Sequence, residues 1–210
     1  MNTRLAFFAG GLAAFVAAAS PALAQKQGGT LRISHRDNPP SASIHEEATI
    51  SVIQPFMAVF NNLVMFDPKT KQNTPDNIIP DLATEWKWSA DGKDLTFKLR
   101  DGVKWHDGVA FDAADVDFTL HLIQNPDTRS TAAGNWDGVT VNAVNAQTVQ
   151  FILPASYNGF LSTLARVGIV PEHVLSDRQP KQLRIDQFNQ RPIGTGPFIL
   201  NYLDINSNTI

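Results

Sequence analysis

Apolar and polar positions alternate with a period of two over three stretches in the middle of the chain. The stretches are Glu85 to Trp88, Leu95 to Leu99 and Val103 to Trp105, and they are separated by Asp91-Gly92 and Asp101-Gly102. Period-two alternation is typical of a β-strand with one buried face. Asp-Gly is a strong hairpin signal because glycine accepts the positive φ of a tight turn. The pattern therefore predicts a three-stranded meander.

Helical spacing is clearest after Phe111. Asp112 can cap the first amides of a helix, and Asp115, at the third helical position, can bond back to it. Phe111 and Val116 then occupy the two positions of a hydrophobic staple. We expect the helix to end near Gln124, because the next residue precedes a proline and is excluded from the helical region.

A second helix is predicted before the meander, where Ile50 to Val64 carries apolar residues at helical spacing. We place its start near Gln54, so that Pro55 lies in the first turn, where the missing N–H has no partner to lose. Shorter patterns predict further elements: strands at Thr30–Ser34, Val139–Val144, Thr148–Leu153 and Ile193–Leu200, a helix at Gly159–Leu164, and a strand end that runs into a helical turn at Ile169–Val174.

Strands that feed helices, with a meander between them, indicate a mixed α/β fold with an insertion inside a larger domain. The chain stops at Ile210, a few residues after the last predicted strand, without a closing helix or a polar tail. We therefore expect the larger domain to be cut off there.

Residues 1–24 have the three parts of a cleavable secretory signal peptide. Arg4 supplies the positive charge, Leu5 to Ala19 form an apolar run, and Ala22 and Ala24 are the small residues of an Ala-x-Ala cleavage site. The run is shorter than the roughly 20 residues that span a bilayer. The sequence predicts cleavage after Ala24 and a mature protein that works outside the cytoplasm.

The composition narrows the kind of exported protein. There is no cysteine, so the fold must be stabilised by a packed core without disulfide bonds. A bacterial lipoprotein needs Cys as its first mature residue, whereas Gln25 follows the predicted cleavage site. The net charge is −3, and loss of Arg4 makes it more negative, so we expect no nucleic-acid partner. The prediction is a soluble periplasmic protein that is not a lipoprotein.

Histidines and acidic residues come together at His45 to Glu47 and at Trp105 to Asp107. Neither place has the His-Glu-x-x-His spacing that puts two imidazoles on one helix face, so we expect no metal site and no cofactor. No Gly-x-Ser-x-Gly elbow and no cysteine offers a nucleophile, and no catalytic residue is assigned. Gly194-Thr195-Gly196 lacks the lysine of a phosphate loop, which favours a tight turn. The alternative from another class is a secreted metal-dependent hydrolase that uses His45, Glu46, His106 and Asp107.

The remaining histidines and the tryptophans have simpler interpretations. We expect His106 to form hydrogen bonds in its loop, His121 to be solvated on a helix, and His173 to pair with Glu172. Trp86 and Trp88 share one strand face and are predicted to lie in the core. Trp136 lies in a loop with Gly and Asn and is the best aromatic candidate for ligand contact.

Several blocks of sequence resemble the family 5 extracellular solute-binding proteins, the dipeptide, oligopeptide and nickel binders of ABC importers. The blocks are Pro80–Trp86, Ser89–Lys93, Phe97–Lys104, His106–Gly108, Ala113–Val116, Val170–Val174 and Gly194–Phe198. They occur in the order that the family has them, and the resemblance covers nearly all of residues 28 to 200.

This resemblance implies the two-lobe fold of the class II periplasmic binding proteins, of which the chain is similar only to the first lobe. Residues 25–64 and 169–210 would form the main sheet of that lobe, and residues 65–168 would form a β-rich subdomain inserted into it. The second lobe would be missing. An unpaired lobe exposes apolar surface of its cleft, so we also expect marginal solubility.

The resemblance also implies a function without chemistry, in which two lobes close around a solute and present it to an ABC permease in the inner membrane. Carried over by position, the ligand-binding residues are Ser43, His45, Trp136 and Arg166. The ligand would be a peptide or another small solute, such as a nickel complex, an opine, a sugar or glutathione, bound by a monomer. A module that serves a chemoreceptor is the remaining alternative.

Overall fold

The computed structural model describes residues 28–35, 39, 41–47 and 49–204. The predicted signal peptide lies outside the described residues. The chain divides into two compact units, residues 1–34 and residues 35–210. In the described part of the first unit, residues 28–34 form no strand, and Leu31 and Ile33 are 82% and 81% exposed. The predicted strand Thr30–Ser34 is therefore wrong. Alternation alone is not enough, because a strand also needs a ladder partner, and neither sheet of the described chain includes this segment.

The described residues of the second unit form two antiparallel sheets. The smaller has two strands, β1 (Val64–Phe66) and β2 (Ile78–Pro80). The larger has four strands in the order β3-β4-β6-β5, namely β3 (Ala83–Trp88), β4 (Asp94–Leu99), β5 (Thr140–Asn145) and β6 (Thr148–Ile152). The first predicted hairpin and the two strands predicted after the long helix are confirmed, with bounds shifted by a residue or so.

The third strand of the predicted meander is wrong. Gly102 has the positive φ of a turn, at 70°, but Val103 to Trp105 contributes only an isolated bridge from Lys104 to Ala110. The place beside β4 is taken by β6, which sets Val149 opposite Phe97 and Phe151 opposite Leu95. All four of these side chains are fully buried. Pairing of β4 with the three alternating residues 103–105 would bury less apolar surface than its pairing with β6 does, so β6 takes this place.

In the part of the chain that the structure describes, four α-helices accompany the sheets: α1 (Ile50–Phe56), α2 (Ala113–Gln124), α3 (Phe160–Leu164) and α4 (Glu172–Leu175). Short 3₁₀ helices lie at Pro75–Asn77, Ala133–Trp136, Pro180–Ile185 and Gln187–Gln190. The Gly159–Leu164 helix is confirmed as α3. At Ile169–Val174 only the helical turn forms. The predicted strand Ile193–Leu200 is wrong, since this segment forms no strand and leaves Phe198 64% exposed.

Helix α2 begins as its sequence predicts. The Asp112 carboxylate accepts a hydrogen bond from the Ala114 N–H at 2.8 Å, and Asp115 accepts one from the Asp112 N–H at 3.1 Å. Phe111 and Val116 are both buried, as a staple requires. The helix ends at Gln124, before the Asn-Pro pair.

Helix α1 begins four residues earlier than predicted. The Thr49 carbonyl accepts hydrogen bonds from the N–H groups of Val52 and Ile53, and Pro55 lies in the last turn instead of the first. The buried face is Val52 and Phe56, whereas Ile53 is exposed. Pro55 cannot donate to the preceding turn, so it marks the end of this helix.

Helix α2 lies between two hydrophobic clusters. Val116, Leu120 and Ile123 pack with the inner face of the larger sheet, while Leu122 packs with α1, α4 and the loop that contains Ala42. Trp86 and Trp88 are partly buried and pack against the first cluster, which agrees with their predicted place at the core. The two clusters fix the loops around α2 relative to one another.

Among the described residues, no helix is both long enough and apolar enough to cross a membrane.

Candidate functional site

The loop of residues 41–47 gathers buried polar side chains, which is unusual for a connection between elements. Ser41, Ser43 and His45 are all buried. The Ser43 hydroxyl donates to a carboxylate oxygen of Glu46 at 2.5 Å, and the Ser43 carbonyl accepts from the Glu47 N–H at 3.2 Å. These bonds turn the loop back on itself and hold its side chains in fixed positions. Two of the predicted ligand-binding residues, Ser43 and His45, therefore lie together in an ordered loop.

His45 connects this loop to two distant parts of the chain. Its Nε2 donates to the Gly168 carbonyl at 2.8 Å, and its own carbonyl accepts from the Ser130 hydroxyl at 2.8 Å. An alanine Cβ at position 168 would lie 2.6 Å from the terminal methyl group of Ile44, which would have to move. Loop 41–47, the segment after α2 and the segment after α3 meet at His45.

Burial lowers the pKa of the His45 imidazole, although the Glu46 carboxylate and the Gly168 carbonyl act in the opposite direction. A ring that favours its neutral form while donating through Nε2 has an unprotonated Nδ1, which is a hydrogen-bond acceptor. The site therefore combines a neutral histidine with the carboxylate of Glu46.

This shift predicts acid sensitivity of the fold. The unfolded chain binds a proton at His45 more readily than the folded chain, so the stabilisation is complete above the unfolded pKa of about 6.5 and is lost as the pH falls below it. We expect His45→Gln to flatten the decline in the free energy of unfolding on the acid side of neutrality, measured by urea denaturation at successive pH values. The matched control is His121→Gln, because His121 is exposed on α2 and pairs only with Asp117. Equal acid slopes for wild type and His45→Gln would contradict the assignment.

Residues 176–191 contact loop 41–47 through a backbone hydrogen bond and an ion pair. The Ala42 N–H donates to the Asn189 carbonyl at 2.8 Å, and Arg184 forms an ion pair with Glu47 at 2.8 Å. Lys181 pairs with Asp127 at 3.5 Å on the segment after α2. Residues 176–191 are therefore bonded both to loop 41–47 and to the segment after α2.

Arg166 lies two residues before Gly168, whose carbonyl accepts a hydrogen bond from His45. It is exposed, and its guanidinium lies over the Phe66 ring at 5.7 Å from the centroid. No carboxylate among the described residues pairs with it. A guanidinium that stacks on an aromatic ring and is exposed to water can bind a ligand carboxylate by donating two parallel N–H bonds to it. Its predicted role is compatible with this placement.

Trp136 is placed differently from the other three candidates. Its ring has 0% exposure and packs against Phe151 and Phe160, with centroids 6.5 and 5.5 Å away. The expectation that it is open to solute is corrected: the 3₁₀ helix Ala133–Trp136 directs the ring into the core, where its apolar area is removed from water. We do not carry Trp136 into the proposed site.

The residues of the hydrolase alternative are held by separate partners. His106 accepts from the Gly194 N–H through Nδ1 at 3.2 Å and donates through Nε2 to the Gly196 carbonyl at 2.9 Å, whereas His45 bonds to Gly168. The expectation that His106 forms hydrogen bonds in its loop is confirmed. No three His, Cys, Asp or Glu side chains in the described part of the chain are placed to hold a metal ion together.

His173 pairs with Asp107 and not with its neighbour Glu172 as the sequence suggested. Its Nε2 lies 2.8 Å from an Asp107 carboxylate oxygen. Burial acts to raise the pKa of Asp107, but the hydrogen bonds from His173 and from the Val109 N–H outweigh it, so the pKa lies below its usual range. His121, by contrast, is exposed on α2 as predicted. The second His-acid group is therefore a structural pair between a loop and α4.

Sequence reasoning missed the two residues that organise the site, Ser130 and Gly168. Each is a common residue type in a loop, and only its long-range partner, His45, gives it significance. No spacing or motif in the sequence carries that signal.

The described residues form a mixed α/β protein in which three loop segments meet at His45, and they include no cluster of His, Cys, Asp or Glu side chains that could hold a metal ion. Residues 77–210 match the family model described as bacterial extracellular solute-binding proteins, family 5 Middle. The chain belongs to this family. Proteins of the family bind solutes and are not enzymes.

Three relatives show how far the likeness extends. An ABC transporter peptide-binding protein of Brucella ovis is 35% identical over 157 residues, which are 71% of this chain and 29% of that protein. The dipeptide-binding protein of Escherichia coli K12 is 33% identical over 161 residues, 68% of this chain and 29% of that protein. The structure of NikZ from Campylobacter jejuni in complex with Ni(L-His) matches with a TM-score of 0.67 and 32% identity, over 80% of this chain and 32% of NikZ. The chain thus spans about a third or less of the length of these relatives.

Proposed function

We propose that this chain supplies part of the solute-binding site of an extracytoplasmic binding protein that delivers solutes to an ABC importer. The observation that carries the proposal is the convergence of three segments at His45 in a chain that belongs to family 5. Such a convergence gives a binding surface that is ordered before the ligand arrives, which reduces the entropy lost on binding.

The proposed mechanism is capture between two lobes. The described chain would be the first lobe, with residues 65–168 as its inserted subdomain, and the rest of the protein would close over the solute. Closure is driven by the higher affinity of the closed state for the ligand, and a membrane permease would recognise that closed state. In this proposal the mature protein is periplasmic and monomeric.

The proposed ligands are peptides or similar small solutes. This class is supported by two relatives, a dipeptide-binding protein and a protein solved with a nickel complex of L-histidine. A dipeptide and L-histidine both carry an amino group and a carboxylate. In this chain Arg166, which is exposed, is the proposed direct contact, and the buried Ser43 and His45 are proposed to fix the shape of the site around the ligand.

Native mass spectrometry of the protein expressed from its complete reading frame tests this function. We expect a co-purified small molecule, or a thermal shift with at least one member of a panel of short peptides and nickel complexes. A variant of the loop tests the site itself. Ser43→Ala should retain the fold but give a smaller thermal shift, because Glu46 loses its hydrogen-bond partner in the loop. Absence of any bound molecule and of any shift across the panel would contradict the function.

A further inference from the structure

His45 is a buried titratable residue at the junction of three segments. It is 7% exposed, its Nε2 donates to the Gly168 carbonyl at 2.8 Å, and its backbone carbonyl accepts from the Ser130 hydroxyl at 2.8 Å. The same residue therefore connects loop 41–47 both to the segment after α2 and to the segment after α3. Any change that moves the imidazole out of its buried position breaks the bond to Gly168 and disturbs the bond to Ser130.

His45 lines a small cavity beside loop 41–47. The cavity has a volume of about 20 Å³, which is room for roughly one water molecule. Most of the residues that line it are apolar, namely Ala42, Ile44, Leu122, Val170, Leu175, Leu183 and Phe188. A single water molecule cannot replace the hydration shell of an imidazolium, so a positive charge on the ring is unfavourable while the ring stays in this place.

Two carboxylates line the same cavity, and both already accept hydrogen bonds. The Ser43 hydroxyl donates to Glu46 at 2.5 Å, and the Phe188 N–H donates to Asp186 at 2.8 Å. The Glu46 carboxylate attracts a protonated His45, but burial opposes the charge more strongly, and the pKa of the imidazole lies below its ordinary value. The neutral ring is therefore the form that fits the closed junction.

The other charged groups on the segments around loop 41–47 lie at the surface or in ion pairs. The ion pairs are Arg178–Asp186, Lys181–Asp127 and Arg184–Glu47, and the exposed cations on the segments after α2 and α3 are Arg129 and Arg166. The cations among them disfavour a further positive charge on the ring, and the carboxylates among them are already paired with a cation.

Loop 41–47 is packed separately from the core of the larger sheet. Ala42 and Ile44 pack in the cluster that contains Val52 and Phe56 of α1. The cluster that holds the inner face of the larger sheet includes no described residue of the loop. Segments with few contacts to the main core open locally at a lower free-energy cost than the core itself. The loop can therefore leave its place while the sheet stays folded.

We propose that His45 is a pH-sensitive switch: when its ring takes up a proton from water, loop 41–47 separates from the segments after α2 and α3 while the larger sheet stays folded. The separation is a property of the solute-free protein. Its consequence for the solute rests on the proposed function, because an open junction no longer presents the ordered surface at which the solute is proposed to bind. Acid would then weaken retention of the solute without unfolding the protein.

Hydrogen–deuterium exchange of the solute-free protein, expressed from its complete reading frame, tests the switch at about pH 7.5 and about pH 5.5. In the open state the ring titrates with its ordinary pKa of about 6.5, so each pH unit below that value raises the open fraction by up to about tenfold. After correction for the intrinsic pH dependence of amide exchange, we expect residues 41–47, 128–131 and 166–168 to exchange about three- to tenfold faster at the lower pH. The β3–β4 hairpin should show no such increase.

Variants that do not titrate separate the switch from a purely structural role of His45. His45→Gln keeps an N–H donor for the Gly168 carbonyl but takes up no proton, so we expect it to abolish the increase at the lower pH. His45→Asn is a second variant of the same kind with a shorter side chain. The matched control is His121→Gln, which removes an exposed histidine of α2 and should keep the wild-type increase.

The switch is refuted if wild type shows no increase in the three segments or an equal increase in the β3–β4 hairpin. It is also refuted if the increase persists in a folded His45 variant or disappears in His121→Gln. If neither His45 variant folds, the pH profile of wild type decides, and an increase that does not begin near the ordinary histidine pKa of about 6.5 refutes the switch. No solute is present in this experiment, so solute binding stands or fails separately, by native mass spectrometry and the thermal-shift panel.

Discussion

Gly194→Ala is expected to destabilise the fold by about 3 kcal/mol or more. A Cβ at this position would lie 1.8 Å from the backbone oxygen of Val59, and backbone cannot move aside as the end of a flexible side chain can. The displacement would also break the bonds between His106 and Gly194, in which each backbone N–H has a partner on the other residue. Chemical denaturation monitored by tryptophan fluorescence measures the loss.

The control for this substitution is Gly134→Ala. A Cβ at position 134 meets nothing within 4 Å, and the residue lies in a 3₁₀ helix without a positive φ. We expect a change of less than about 0.5 kcal/mol. Similar free energies of unfolding for the two alanine variants would show that the close approach of the 194–196 turn to Val59 is not important for stability.

Asp115→Ala is expected to cost about 3–5 kcal/mol. The Asp115 carboxylate accepts hydrogen bonds from the Trp105 indole N–H at 3.1 Å, the Asp112 N–H at 3.1 Å and the Glu172 N–H at 3.0 Å. It therefore joins α2 to the loop before it and to the start of α4. Alanine would leave the buried indole N–H and the N–H groups of Asp112 and Glu172 without this acceptor.

Asp117→Ala is the matched control for Asp115, because Asp117 lies on the same helix and pairs only with His121 at the surface. We expect it to change stability by less than about 1 kcal/mol. Burial raises the pKa of Asp115 despite its three donors. Its ionised form is therefore less favourable in the folded chain than in the unfolded chain. The contribution of Asp115 to the free energy of unfolding is largest at low pH, and it decreases as the pH rises from the unfolded pKa toward the folded pKa. If Asp115→Ala is no more costly than Asp117→Ala, the three-way contact does not stabilise the fold.

The parts of the fold that the sequence predicts are those encoded by neighbouring residues. The capping box of Asp112 and Asp115 and the hairpin turn at Gly92 each depend on residues a few positions apart, and both form as expected. A helix start or a tight turn has its own signal because its hydrogen bonds are local.

The parts that the sequence does not predict depend on competition between distant segments. Val103 to Trp105 alternates like a strand, but β6, some forty residues later, has more apolar surface to bury against β4. Trp136 occurs in a polar loop, yet its ring is enclosed by Phe151 and Phe160. Such outcomes are decided by total burial, which no short window of sequence contains.

The candidate site follows the same rule. Ser43, His45 and Arg166 were placed by a resemblance and not by any local pattern, and the bonds that bring their segments together run from His45 to Ser130 and Gly168.

The central claim is that solute binds where three segments meet at His45. Hydrogen–deuterium exchange with and without solute tests it most directly, using the short peptide or nickel complex that gives the largest thermal shift. The account predicts slower exchange in residues 41–47, 128–131 and 166–168, the three segments that meet at His45, and no change in the β3–β4 hairpin. Protection confined to the outer face of the larger sheet, with unchanged exchange in those three segments, would contradict it.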